Sequence, residues 1–432
     1  MSDATITVNA SSNRGPLPNL QGFLMGINNA AGNMDQFDFP TVSALNPKYW
    51  RLATGAGTMF PKVQPFNPIL TLVIRDVYVD TYGNDTVWND WAQYESFLQA
   101  LYAATHSAGA VITYWDVWGE PEGGTPFNGT YAQFLELYKR THDVLKAIDD
   151  NVKIIGPSYE DFNGAVQGHS FGQFIVDLDT TYAIKLEGLS WHEFDSVGPQ
   201  NLPSHATTVT QFLTANYPGY TPSYHVNEYG GPAGHLLPGW NVGYLYYLHE
   251  AGISVTARAC WTIPSLWSDC YAGLDGLLVN DNATPMPPYW VARLYAGLVG
   301  QTWLTSQTDD TRAVALAVTA GNQTLTVLVG RLTSAPSGAT KIVRLVMTNF
   351  PWVRTSIMIQ RIPQLAAPTP LLSPIDEGTQ IQTVVQGTLT LTFNTFDDGT
   401  ARWIQFTNLD VSVSPRHTLI HRTGERRSWR RV

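Results

Sequence analysis

Along the first two thirds of the chain, apolar positions recur at two different periods. Short apolar or alternating runs predict strands at Gly22–Asn28, Tyr49–Ala53, Ile69–Asp76, Val111–Trp118, Lys153–Gly156, Gly188–His192, Ser223–Glu228 and Val255–Trp261. Longer stretches with a 3.6-residue period lie between them. Trp88–Ser107 places Trp91, Leu98, Leu101 and Tyr102 on one face, and Gly109 follows as a C-cap signal. Thr130–Asp149 does the same with Tyr131, Phe134, Leu135, Tyr138 and Leu145. Ser170–Tyr182, Ser204–Asn216 with Ser204 as N-cap, Trp240–Ala251 and Tyr289–Leu298 complete the helical set, and Pro40–Leu45 has room for one or two turns. Between Gly57 and Pro68 no helix is expected, so a loop takes the place of the second helix.

Strand–helix alternation at this spacing argues a parallel sheet with crossovers, and eight strands argue an α/β fold of the (β/α)8 TIM-barrel type. No Gly-x-Gly-x-x-Gly follows the first strand, which removes the main reason to invoke a dinucleotide fold. Near residue 300 the texture changes. Arg312–Thr319, Thr324–Gly330, Lys341–Met347, Thr355–Arg361, Thr388–Phe393 and Ala401–Phe406 are β runs without helix signal, and Ala320-Gly321-Asn322-Gln323 marks a hairpin. They predict an accessory all-β sandwich of six or seven strands, completed by the alternating run Ala4–Asn9. The expected division is a barrel over 15–300, a sandwich from 1–14 with 301–413, and a basic, disordered tail over 414–432.

Composition narrows the function. Net charge is −10, which argues against nucleic acid as main partner. No apolar run reaches the roughly 18 residues a membrane span needs. The 14 Trp and 20 Tyr suit either packing or stacking on sugar rings. Cys260 and Cys270 allow a disulfide or two free thiols. There is no metal-ligand spacing, nucleophile elbow or phosphate loop, so catalysis is expected to need no metal and no cofactor.

Two strand ends carry the candidate chemistry. Tyr114-Trp115-Asp116-Val117-Trp118-Gly119-Glu120-Pro121 and Tyr224-His225-Val226-Asn227-Glu228-Tyr229-Gly230-Gly231-Pro232 each read as a strand that delivers a Glu and is stopped by Pro. In a parallel barrel the strands' C-terminal edges surround the active site, and two carboxylates facing each other there are what glycoside hydrolysis needs. An ordinary loop-end ion pair is the plain alternative for each.

Trp-Gly-Glu-Pro at Glu120, Asn-Glu-Tyr-Gly at Glu228, Arg51, His192 and Trp261 resemble clan A of the glycoside hydrolases. The barrel-plus-sandwich layout and the stretch Leu274–Tyr289 look most like family 39, which holds β-xylosidases, α-L-iduronidases and exopolysaccharide endoglycosidases. The resemblance covers nearly the whole chain to about residue 410. It implies a retaining O-glycosyl hydrolase acting on an oligo- or polysaccharide, with Glu120 as acid/base and Glu228 as nucleophile. Arg51 would hold Glu228 ionised, His192 would hydrogen-bond the sugar or Glu228, and Trp261 would floor a subsite, with Trp118, Tyr229 and Trp191 as further aromatic contacts. Glu122, Glu160, Asp161, Glu193 and Asp195 could line the cleft. One position departs from the clan pattern: Gly119 stands where an Asn usually contacts the sugar 2-hydroxyl, so another residue, such as Asn227 or His192, would replace that contact or the sugar would differ. The rival readings are a non-catalytic carbohydrate-binding protein, a transglycosylase on the same barrel, and a structural protein built on the sandwich. A polysaccharide substrate favours a secreted or periplasmic location, although no signal peptide is visible at Met1.

Overall fold

The computed structural model describes residues 3–25, 38–53, 56–194, 198–259, 261, 273–279, 281, 283–332, 341–365 and 369–410. Cys260, Cys270, Asp195 and the basic tail lie outside these residues.

Strand β1 (Ala4–Asn9) precedes the barrel. The barrel then alternates through β2 (Gly22–Leu24), α1 (Phe39–Ser43), β3 (Tyr49–Leu52), α2 (Ala56–Val63), β4 (Ile69–Val73), α3 (Ile74–Tyr82), α4 (Trp91–Ser107), β5 (Ile112–Asp116), α5 (Tyr131–Ile148) and β6 (Lys153–Tyr159). A small hairpin, β7 (Ala165–Val166) and β8 (His169–Ser170), precedes α6 (Phe171–Tyr182). The barrel continues through β9 (Gly188–Glu193), α7 (Leu202–Asn216), β10 (Ser223–Tyr229), α8 (Pro238–Glu250), β11 (Val255–Arg258) and α9 (Pro287–Ala296). Eight parallel strands close in the order β2-β3-β4-β5-β6-β9-β10-β11, with β11 returning to β2. The expected TIM barrel is therefore present.

Three expectations need correction. The segment expected to be a loop contains α2, with Pro61 inside it. Pro and Gly read as breakers there, and Pro61, the sixth of the eight residues, falls inside the helix all the same. The strand expected over Ile69–Asp76 stops at Val73, and Ile74 begins α3, whose buried face is Ile74 and Tyr78. β-branched residues on both sides of the break hid it. Ser204 is not an N-cap; α7 begins earlier, after Asn201. Thr130 does cap α5, in a reciprocal capping box with Gln133.

The last third is a curled nine-stranded sheet. It contains β1 and eight later strands: β12 (Thr302–Thr308), β13 (Ala313–Ala320), β14 (Thr324–Arg331), β15 (Lys341–Thr348), β16 (Arg354–Ile362), β17 (Ile375–Thr383), β18 (Leu389–Phe396) and β19 (Ala401–Asn408). Their order is β17-β16-β19-β14-β13-β12-β1-β15-β18. β13 and β14 form the expected hairpin, with Ala320 opposite Thr324. β12 and β17 were not expected. Strand β1 is antiparallel to β12 and parallel to β15, and it closes a separate apolar core around Ile6, Val8, Val327 and Leu345.

Helix α8 joins barrel and sheet. Twelve of its thirteen residues, Pro238 to His249, are buried. A helix apolar on all sides is one with neighbours on all sides. Gly239 N donates to Gly399 O at 2.6 Å, and Tyr247 Oη donates to Thr311 O at 2.7 Å. A Cβ at Gly239 would stand 2.1 Å from the Arg331 carbonyl oxygen, so only glycine lets the helix approach the sheet this closely.

Candidate active site

β5 and β10 bring Glu120 and Glu228 to the C-terminal mouth of the barrel. Glu228 lies within β10, while Glu120 sits four residues beyond the end of β5, on a turn rather than on the strand. Its φ is +54°, a left-handed conformation that a non-glycine residue adopts at a cost of about 1 kcal/mol or more. The turn is held by local bonds. Glu120 N donates to Ser158 O at 2.9 Å, Gly123 N donates to Glu120 O at 3.1 Å, and Trp118 Nε1 donates to Thr125 O at 2.7 Å.

A carboxylate oxygen from Glu120, one from Glu228 and a ring nitrogen of His192 lie within 4.8 Å of one another. Each carboxyl has its own partner. Arg51 Nη1 donates to Glu228 Oε1 at 2.5 Å, and His192 Nδ1 lies 3.2 Å from Glu120 Oε1. His192 therefore engages the first Glu rather than the second. Arg51 is buried and also donates to Asp116 Oδ2 from Nε at 3.1 Å and Nη2 at 2.8 Å. Burial alone would lower the Arg51 pKa; Asp116 and Glu228 more than offset it and push it up.

Asp116 is fully buried and organises a layer beneath the pair. Its Oδ1 accepts from Ser158 Oγ at 2.7 Å, and Asn227 Nδ2 donates to its Oδ2 at 2.8 Å. Ser158 Oγ lies 2.7 Å from Ser190 Oγ. Asp116, Ser158 and Ser190 were not singled out from the sequence. The signal available was a charged residue inside a strand that is otherwise buried, which demands partners.

The remaining sequence candidates separate clearly. Asn227 is buried in that lower layer, with its amide nitrogen donating to Asp116 and Ser158 and its Oδ1 left without a partner. Trp118 is fully buried, with its ring on Phe127 at 5.0 Å, and offers no face to a ligand. Trp191 is likewise buried and donates to Glu193 Oε1 at 2.6 Å. Tyr229 is buried against Tyr244 at 5.4 Å. Trp261 remains half-buried near the mouth, tied by Nε1 to Gly230 O at 2.5 Å and edge-on to Phe194 at 5.1 Å. Gly119 lies against Arg51: a Cβ there would be 3.1 Å from Nη2. The space an Asn would need is thus bordered by the guanidinium that holds Glu228.

Electrostatically the two carboxyls are driven apart. Burial pushes Glu228 up, opposed by the charges of His192 and Arg51 and assisted by Glu120. Burial also raises Glu120, but the His192 hydrogen bond and the charges of His192 and Arg51 outweigh it and bring it below the usual range. A close pair of this kind titrates as a unit rather than as two independent groups. Glu122, just past the turn, is pushed up to about 7 by burial. Among the described residues, Glu120, His192 and Glu228 are the group that could offer three ligand atoms to a metal ion. The Arg51 cation on Glu228 works against a second cation there.

No family model matches the sequence, and no curated protein is similar to it in sequence. Solved structures are similar in fold. A protein from Neocallimastix frontalis superposes with a TM-score of 0.76 at 15% identity, over 94% of this chain and 100% of the other. A monomeric β-xylosidase from Caulobacter crescentus CB15 gives 0.65 at 12% identity, over 94% and 99%. A GH39 enzyme from Xanthomonas axonopodis pv. citri gives 0.63 at 12% identity, over 95% and 98%. The fold is that of the family 39 glycoside hydrolases. The likeness extends over barrel and sheet together. Among the described residues no helix is long and apolar enough to cross a membrane.

Proposed function

We propose that this protein is a retaining glycoside hydrolase, with Glu228 as nucleophile and Glu120 as general acid and base. The observation that carries the reading is the pair of carboxyls whose oxygens approach within 4.8 Å over the barrel mouth. Retaining enzymes use carboxyls about 5 Å apart, whereas inverting ones leave roughly 6.5–9.5 Å for a water. The partners support the division of roles. Arg51 orients one oxygen of Glu228 and stabilises its charge, as attack on an anomeric carbon requires. Glu120 lies on a turn with a weaker, His192-mediated hold, suited to a group that gains and loses a proton in each cycle.

In this mechanism Glu120 protonates the leaving oxygen while Glu228 forms the glycosyl–enzyme ester. Glu120 then removes a proton from water as that ester is hydrolysed. The first step needs the proton on Glu120 and the charge on Glu228, and the Arg51 cation beside Glu228 favours that charge.

The test is turnover of a panel of aryl glycosides and polysaccharides by the wild type, Glu120→Gln and Glu228→Gln. Hydrolysis is expected to fall by about 10³-fold or more in both variants. A 2-fluoro glycoside is expected to leave its mass on the peptide that contains Glu228. A label on Glu120, or activity retained in both variants, would overturn the assignment. Binding of sugars with no turnover by the wild type would instead favour the carbohydrate-binding reading.

A further inference from the structure

A cavity opens beside the Glu120–Glu228 pair, over the ends of β6 and β9, with a volume of about 550 Å³. Glu160, Asp161 and Glu193 contribute carboxyls to its lining, and among the described residues no Lys or Arg lines it. Glu193 is bound to Trp191 Nε1 and His205 Nδ1. Glu160 and Asp161 have no ion-pair partner among the described residues. Phe162 and Phe194 supply two half-buried aromatic walls.

Acidic side chains alone do not make a site, but a second feature points into this one. His192 lines the cavity, is 1% exposed, and spends Nδ1 on Glu120. Its Nε2 is buried and has no partner. A buried polar atom left unsatisfied is costly, so a ligand group that bonds it is favoured. The cavity also lies on the Glu120 side of the pair. Glu160 Oε2 occupies the space next to Gly123, where a Cβ would be only 1.6 Å away, and Glu120 Oε2 similarly crowds Gly124. The wall of the cavity and the turn that bears Glu120 are therefore in direct contact.

Building on the glycosidase reading, we propose that this cavity is the leaving-group subsite and that it selects a sugar carrying a free amine. The ring lies against Phe162 and Phe194, a hydroxyl bonds His192 Nε2, and the ammonium is held by Glu160 and Asp161. A neutral sugar would satisfy His192 but leave both carboxylates to water. An ammonium gives them charge-assisted bonds, which are about twice as strong as neutral ones.

Calorimetry on the full chain tests this with three β-1,4-linked tetramers: glucosamine, N-acetylglucosamine and glucose. At low salt the glucosamine tetramer is expected to bind at least about tenfold more tightly than either neutral one, and the gap is expected to narrow as salt rises. Glu160→Gln combined with Asp161→Asn should abolish the preference and leave the melting temperature unchanged. Equal binding of all three, or a preference that survives in the double variant, would overturn the proposal. So would a preference that requires added calcium and disappears with a chelator, because the carboxyls would then be holding a metal ion. Aryl glycosides have no sugar on the leaving side. Their hydrolysis and its loss in Glu120→Gln therefore test the glycosidase reading separately, and either result can fail alone.

Discussion

Arg51 serves two carboxylates with one guanidinium, Asp116 through Nε and Nη2 and Glu228 through Nη1. Lysine has the charge without the fork and cannot bridge both. Arg51→Lys is expected to cut kcat by about 100-fold and to destabilise the fold by about 3 kcal/mol, because Asp116 is left buried and poorly paired. Steady-state kinetics and urea unfolding would measure the two effects. His192 supports a prediction about pH. Its hydrogen bond and charge oppose burial and hold the Glu120 carboxyl down. The acid form of Glu120 starts the reaction, so kcat/KM should fall as pH rises through the Glu120 pKa. Removing the downward pull raises that pKa and keeps the acid protonated to higher pH. In His192→Gln the basic limb of the kcat/KM profile should therefore move to higher pH, even as the rate drops. A limb that stays in place would show that His192 does not tune Glu120.

At the level of elements, the turn after β5 determines where Glu120, the proposed acid/base, sits. A Cβ on Gly124 would come 2.1 Å from Glu120 Oε2. Gly124 is exposed and outside regular structure, so Gly124→Ala should leave the melting temperature within a degree or two while lowering kcat by about tenfold. Comparable losses in stability and rate would mean that the turn itself had collapsed. The turn also shows what the sequence could and could not reveal. The barrel strands were legible because each is a short apolar run closed by a breaker, and Glu120 and Glu228 were legible because both follow such runs. The left-handed backbone at Glu120 was not legible, since it depends on the Ser158 carbonyl from a different strand. The Asp116, Ser158 and Asn227 layer was hidden for the same reason: its members come from β5, β6 and β10 and meet only through barrel register. The burial of the aromatic candidates was not legible either: Trp118 and Tyr229 lie next to Glu120 and Glu228 in sequence, but both are buried in the core. In the sheet, β17 escaped detection because eight of its nine residues are exposed and it has no buried face to impose alternation.

Across the whole molecule, α8 is shared between barrel and sheet, and the closest approach is at Gly239. The atoms that a Cβ would meet there are backbone oxygens of Arg331 and Thr400, which cannot swing aside. Gly239→Ala is expected to destabilise the protein by about 1–3 kcal/mol through this overpacking. Because the helix belongs to both bodies, calorimetry should still show one transition at a lower temperature. Two separated transitions would mean that barrel and sheet fold independently.

The placement of β1 has a consequence for how the chain is made. Ala4–Asn9 is seated between β12 and β15, whose residues are synthesised only after the entire barrel. On the ribosome this apolar strand is exposed throughout barrel synthesis, with both hydrogen-bonding edges free. A β segment that emerges before the barrel is thus among the last to find its place, and the time spent waiting is when a nascent chain is most open to chaperones or to association with its neighbours.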